Sequence, residues 1–209
     1  GIGRALAIKF AKEGWQVAAS ARRENLLKDL NNQNPNIHPF PLDVKNESEA
    51  KNIFQNILEK FKTIDISVFC TGIHDPESEK RLNNEKIREI METNFFGTVN
   101  CIIAVNKFFR DKQSGHISIV SSVAGYRGLP AASAYCASKA ALTSLAESLY
   151  VDFKRFNVRV SVVSPGFIKT PMTDKNKFPM PLIKSPEYAA EKMFIGLTKK
   201  NVFEIHFPI

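Results

Sequence analysis

Apolar runs of strand length alternate along this chain with amphipathic stretches of helical length, and that alternation restricts the fold more than any other feature. It predicts βαβ units, because parallel strands need a long crossover and a helix is the usual one. Strands are expected over 16–20, 37–40, 65–69, 116–121, 159–163 and 202–206, and the clearest helices over 47–61, 85–109, 132–156 and 186–199. Ser185 suits the N-cap of the last helix and Pro186 its first turn. The expected fold class is α/β, a doubly wound parallel sheet with helices on both faces. With 209 residues, 44% of them hydrophobic, the chain can bury one sizeable core and leaves little room for a second. Residues 1–209 therefore read as a single domain.

Composition removes several classes of function. No run approaches the roughly 18 apolar residues of a membrane span, so no membrane partner is expected. The formal charge is +8, but the 29 Lys and Arg are scattered among 21 acids without a long basic run. That pattern argues against nucleic acid and for a solvated basic surface, which would steer an anionic cofactor or substrate. Cys70, Cys101 and Cys136 are odd in number and lack CxxC spacing. They suggest neither a disulfide framework nor a metal site, and read as reduced thiols of a cytoplasmic protein.

The chain opens on Gly1-Ile2-Gly3-Arg4-Ala5-Leu6, which has the form of the last turn of a glycine-rich loop entering a helix. Such glycines let backbone approach a pyrophosphate at a helix N-terminus, although a flexible tail would give the same letters. Roughly 20 residues on, where folds of this kind read the adenosine ribose, stand Arg22 and Arg23 and no acid. A carboxylate would accept from a ribose 2′-hydroxyl, whereas guanidinium groups fork onto a 2′-phosphate. NADP(H) is thus favoured over NAD(H), the alternative being two solvated arginines at the start of a helix.

Tyr135 and Lys139 lie four residues apart in an alanine-rich helical stretch, with Ser121-Ser122 upstream. That spacing sets both side chains on one helix face, where the ammonium favours the phenolate. Moving a tyrosine from near 10 to about 7 takes roughly 4 kcal/mol of differential stabilisation. For an isolated YxxxK, a packed tyrosine and a solvated lysine would explain the letters as well.

The motif is not isolated. The chain resembles the short-chain dehydrogenase/reductases over essentially its whole length, and the order of motifs carries the resemblance. Gly1 to Ala7 is similar to the end of a TGxxxGIG loop, Leu42-Asp43-Val44 to an adenine-contacting Asp, and Asn94-Phe95-Phe96-Gly97 to an NxxG. Ser121 to Gly125, Tyr135 to Lys139 and Ser164 to Thr170 follow in the family's order. The resemblance implies a Rossmann-type fold and a catalytic tetrad of Asn94, Ser122, Tyr135 and Lys139. Ser122 is preferred to Ser121 because it lies thirteen residues before Tyr135. Ser122 would hold the substrate oxygen and Tyr135 would exchange a proton with it. Lys139 would lower the tyrosine pKa and bind the nicotinamide ribose, and Asn94 would hold a water leading to solvent. The cofactor contacts implied are Gly1, Ile2 and Gly3 near the pyrophosphate, Arg22 and Arg23 at the 2′-phosphate, and Asp43 with backbone Val44 at the adenine. Gly72, Tyr135, Lys139, Pro165, Gly166, Ile168 and Thr170 complete the set around the nicotinamide half. The implied substrate is a small carbonyl or alcohol, and no metal is expected.

Two departures stand out. Where the family carries Asn-Asn-Ala-Gly, this chain has Phe69-Cys70-Thr71-Gly72, so Cys70 or Thr71 should pack in place of the missing asparagine. The strand that normally precedes the glycine loop is also absent, and a sheet without its central strand should not hold together. The expectation is a longer protein of which this sequence is a part. Specificity is expected in 126–134 and 171–183, whose Leu129, Pro130, Met172, Phe178, Met180 and Leu182 suggest a partly apolar pocket or an ordinary surface loop. Outward Phe95, Val99, Leu145 and Leu149 point to the homodimer or homotetramer that family members form. A silent cofactor-binding regulator should lack the Tyr/Lys pair. An epimerase or dehydratase of the extended relatives would need a longer C-terminal region.

Overall fold

The computed structural model describes residues 1–76 and 80–208. Among the described residues six strands form, all paired in parallel: β1 (Val17–Ala21), β2 (Ile37–Pro41), β3 (Ile66–Phe69), β4 (Gly115–Val120), β5 (Val158–Pro165) and β6 (Glu204–Phe207). Each lies within two residues of its expected place. The expected single sheet is instead two pieces among the described residues, β1-β2 and β3-β4-β5-β6. The separation has a visible cost in burial. β4 and β5, paired on both edges, are buried almost throughout, whereas β3 is only half-buried and β1 ends exposed. A parallel strand is normally covered on both faces and paired on both edges; β1 and β3 are each paired on one.

Helices cover both faces. α1 (Ile2–Lys12) and α7 (Pro186–Thr198) enclose Leu6, Phe10, Met193 and Phe194 against Val120, Val163 and Ile205. On the other face α3 (Glu47–Phe61), α5 (Gly97–Lys112) and α6 (Ser133–Lys154) bring Phe54, Ile102, Phe109 and Leu142 onto Ile117, Ile119, Val160 and Val162. Val162 and Val163 point to opposite faces, as the period of two along a strand requires. α2 (Glu24–Gln33), which starts after Arg22 and Arg23, was not among the clearest helices; its two buried residues are Leu27 and Leu30. The caps of the others follow local chemistry. Asn46 accepts from the Glu49 N–H ahead of α3, and Ser185 Oγ from the Tyr188 N–H ahead of α7, with Pro186 beginning the helix.

The helix expected over 85–109 is broken. α4 (Asn84–Met91) passes into one π-helical turn, Glu92–Phe96, before α5 begins. A π turn widens the helix by one residue, a feature that recurs at functional sites. Here Thr98 Oγ1 donates to the Asn94 carbonyl at 2.8 Å and both residues are buried.

Inside the sheet, His116 is 3% exposed and shares a hydrogen bond with Ser161 Oγ at 2.8 Å, which in turn reaches Ser118 Oγ at 3.1 Å. Burial, aided by the charge of Arg159, lowers the His116 pKa to about 4, so the imidazole is neutral at pH 7. The next residue back, Gly115, has φ +125°, and a Cβ there would lie 2.3 Å from Phe109 Cε1. Only glycine lets β4 start so close beneath the end of α5.

Candidate active site

The carboxyl ends of β3, β4 and β5 meet the first turns of α6, at the end of the sheet where ligands bind in open α/β folds. Lys139 is 3% exposed, and its Nζ donates to the Val120 carbonyl at 2.9 Å and the Thr71 carbonyl at 3.5 Å. Burial lowers its pKa to about 8, an effect that neighbouring Cys70 partly opposes. The same ammonium lies 5.8 Å from the centre of the Tyr135 ring, so the turn of helix joins the two as the spacing predicted. Gly72 makes room for it: a Cβ at that position would sit 3.4 Å from Lys139 Nζ and 3.8 Å from Asn94 Oδ1.

The two adjacent serines separate by direction. Ser121 is buried, its Oγ donating to the Lys139 carbonyl at 2.8 Å and shared with Thr143 Oγ1 at 2.9 Å. Ser122 is extended, accepts from the Ala124 N–H at 3.1 Å and donates to the Pro165 carbonyl at 3.4 Å. Ser121 thus fastens α6, while Ser122, just past the end of β4, reaches the Pro165 carbonyl at the end of β5. Gly125 packs into this junction, where a Cβ would meet Ser121 Oγ at 2.9 Å and the Lys139 backbone at 3.1 Å.

Asn94 is fully buried and clasps the loop after β3. Its Oδ1 accepts from the Ile73 N–H at 2.7 Å, and its Nδ2 donates to the Ile73 carbonyl at 3.0 Å and to Ser138 Oγ at 3.0 Å. The structure thus gives its side chain a protein anchor on each side. Ser138, whose hydroxyl donates to the Tyr135 carbonyl at 2.7 Å, had no signal in the sequence beyond its place in the motif.

Gly1 and Gly3 open α1, with no side chain to stand between the helix N-terminus and a ligand. A Cβ at Gly1 would be 3.7 Å from Thr170 Cγ2 and one at Gly3 would be 3.7 Å from Cys70 Sγ, so the ends of the glycine turn touch the segments after β5 and β3. Cys70 packs against the cluster beneath α1 and α7, and burial raises the pKa of its thiol. Arg22 and Arg23 are exposed at the end of β1, Arg23 forming the N-cap of α2. Arg4 and Arg23 both add positive potential at Gly1.

Three of the residues expected at the cofactor have side chains with partners inside the protein. Asp43 Oδ1 accepts from the Lys45 N–H at 3.1 Å, closing a local turn rather than leading a helix. Ile168 is 2% exposed in the core beneath α7, so that only its backbone faces the cleft segment, where its carbonyl accepts from Thr173 Oγ1 at 2.8 Å. Val44 is pressed on Gly97, whose Cβ would come within 2.5 Å of its Cγ2, and its carbonyl accepts from Asn100 Nδ2 at 2.9 Å. Asn100, absent from the sequence reading, holds this turn. Gly166 donates its N–H to the Phe207 carbonyl at 2.7 Å, and Thr170 its N–H to Thr173 Oγ1 at 2.9 Å. Among the described residues no cluster of three His, Cys, Asp or Glu could hold a metal ion, and no helix is long and apolar enough to cross a membrane.

The helix faces differ from expectation too. Phe95, Leu145 and Leu149 pack on the core cluster and Val99 is half-buried. The apolar side chains left exposed on this side are Phe96, Ile103, Tyr150 and Val151.

The family model for short chain dehydrogenases matches residues 1–179. An uncharacterized oxidoreductase of Myxococcus xanthus is 34% identical across 100% of this chain and 83% of its own length. A 3-oxoacyl-[acyl-carrier-protein] reductase of Thermotoga maritima is 32% identical over 84% of the chain and 73% of its length. Among solved structures, a short-chain dehydrogenase from Streptomyces avermitilis superposes with TM-score 0.87 at 25% identity, covering 100% of this chain and 84% of that one. ElxO with NADP bound superposes with TM-score 0.85 at 25% identity, covering 99% and 93%. Motif order, cleft and relatives agree, and the chain belongs to the short-chain dehydrogenase family of oxidoreductases.

Proposed function

We propose that this protein moves a hydride between NADP(H) and a carbonyl or alcohol substrate, with Tyr135 as general acid and base. The observation that carries the reading is Lys139, a buried ammonium one helical turn from Tyr135 whose Nζ is held by the Val120 carbonyl. A charge buried at such cost beside a phenol is hard to account for by packing. The residues present fit a nicotinamide dinucleotide: the side-chain-free turn at Gly1 and Gly3 suits a pyrophosphate, and Arg22 and Arg23 suit a 2′-phosphate. The cofactor, when bound, supplies or accepts the hydride. Ser122 orients the substrate oxygen, Tyr135 gives or takes its proton, and Lys139 favours the phenolate. Asn94 fixes the loop after β3. Loss of NADPH absorbance against a carbonyl panel tests the activity, and no turnover of any member would count against it.

The choice of NADP(H) rests on Arg22 and Arg23, and is supported by a neighbour solved with NADP. Replacing both by alanine should raise KM for NADPH at least tenfold, the loss of about two charge-assisted hydrogen bonds, and leave KM for NADH within about twofold. Equal change for both cofactors would refute that choice.

We propose that residues 1–209 belong to a single domain, its helices covering both faces of the sheet. The exposed Phe96, Ile103, Tyr150 and Val151 support assembly through α5 and α6 as a homodimer or homotetramer. Native mass spectrometry checks the assembly, and a monomer would overturn it. The three free cysteines support a cytoplasmic location.

A further inference from the structure

We infer that Glu204 is a positioning residue for the reaction: its carboxylate closes a ring of contacts around Ser122 and so sets how well the carbonyl substrate is oriented. The inference rests on the function proposed above, in which Ser122 orients the substrate oxygen.

The ring starts at Ser122, which leads the one-turn helix Val123–Gly125 and accepts from the Ala124 N–H. Its Oγ also donates to the Pro165 carbonyl, but at 3.4 Å, long for a hydroxyl donor, so that bond alone holds the side chain loosely. Tyr126 ends the same turn, its N–H donating to the Val123 carbonyl at 3.1 Å. The Tyr126 hydroxyl donates to Glu204 Oε1. The same oxygen accepts from Ser164 Oγ at 2.8 Å, and Ser164 is the residue before Pro165. Glu204 is paired opposite Val162, and its side chain reaches two residues along β5 to Ser164. The circuit therefore runs from Ser122 through Pro165 and Ser164 to Glu204, and back through Tyr126 and the helical turn.

Glu204 is where that circuit would open. A carboxylate oxygen accepts two hydroxyl donors without conflict. Burial and the bond to Glu204 raise the Tyr126 pKa, so the phenol keeps the proton it donates. Tyr126 is 51% exposed and little packing holds it, whereas Ser164 is fully buried and its hydroxyl would be left dry without the carboxylate. Beneath the turn there is no slack: Ala124 is buried, and a Cβ at Gly125 would lie 2.9 Å from Ser121 Oγ. The segment after Pro165 has its own tie, from the Gly166 N–H to the Phe207 carbonyl at 2.7 Å. Opening the ring thus loosens Ser122 and leaves the residues expected at the cofactor in place. Small displacements of an orienting group cost rate steeply.

The test compares the full-length protein with Glu204→Gln, Glu204→Ala, Tyr126→Phe and the double variant Tyr126→Phe/Glu204→Ala, using NADPH and a panel of aldehydes, ketones and keto esters. Glu204→Ala and Tyr126→Phe should lower kcat/KM for the carbonyl roughly tenfold and leave KM for NADPH within about twofold. Glu204→Gln keeps an acceptor oxygen and should stay within about threefold of the parent. The double variant should fall no further than Glu204→Ala, because both changes act at one oxygen. Amide hydrogen exchange at Ala124, Gly125 and Tyr126, read without substrate, should be several-fold faster in Glu204→Ala and Tyr126→Phe and parent-like in Glu204→Gln. Tyr126→Phe removes one hydroxyl from a half-exposed ring, so it answers even if Glu204→Ala does not fold. Unchanged activity, an equal loss for NADPH and carbonyl, or Glu204→Gln as slow as Glu204→Ala would each overturn the inference. If the parent reduces no member of the panel, the proposed function fails and this inference with it; if the parent is active and the variants depart from the pattern, this inference alone fails.

Discussion

Tyr135→Phe is expected to lower kcat/KM about a thousandfold while NADPH affinity and stability stay close to those of the parent. The change deletes one hydroxyl and no ring, so the contact with His74 and the distance to Lys139 persist. General acid–base groups contribute about 10² to 10⁴ in rate, which sets the size of the loss. Stopped-flow absorbance of NADPH gives the rate, and cofactor fluorescence titration shows that binding survives. A mutant as fast as the parent would remove Tyr135 from the chemistry. A regulator without turnover would show no rate in either protein.

Lys139→Met should do two opposite things: abolish most activity and stabilise the fold by about 1–2 kcal/mol at pH 7. The folded pKa of about 8 lies below the 10.5 of an ordinary lysine, because the ammonium is buried. The unfolded chain therefore holds that proton more tightly, and stability is lowest below pH 8 and rises between pH 8 and 10.5. At pH 7 the cost of the buried charge is present in full, roughly 3 kcal/mol. Methionine removes it but leaves the Val120 carbonyl without its donor, returning about 1–2 kcal/mol of the gain. Denaturant titration at pH 7 and pH 10 checks both signs. The parent should gain stability toward pH 10 and the methionine variant should lack that slope, and a variant less stable than the parent at pH 7 would refute the account.

The behaviour of Lys139 shows what the sequence makes legible and what it does not. Helical spacing alone brought Tyr135 and Lys139 together, and α3 spans Glu47–Phe61 as its amphipathic pattern implied. The choice of Ser122 over Ser121 came from its spacing to Tyr135; the different partners of the two serines, Lys139 and Thr143 for one and Pro165 for the other, left no mark in the sequence. The π turn at Glu92–Phe96 was not legible either, because one extra residue in a helix leaves no compositional trace. Nor were the partners that hold the site: Ser138, Thr143 and Asn100 act through single hydrogen bonds between segments 20 to 60 residues apart in the chain, a scale that local pattern does not report. Leu145 was misplaced for a related reason. Its burial depends on what lies across the interface, the sheet-side cluster.

The end of β6 carries a consequence for redesign of this enzyme. Phe207 takes the Gly166 N–H, and Pro208 Cδ lies 3.1 Å from where a Cβ of Gly166 would be, so the last strand is the back wall of the segment that follows Pro165. Changes at Phe207 and Pro208 will alter the curvature of that segment without touching a reacting group, and libraries directed at substrate scope have a second place to work besides the cleft itself.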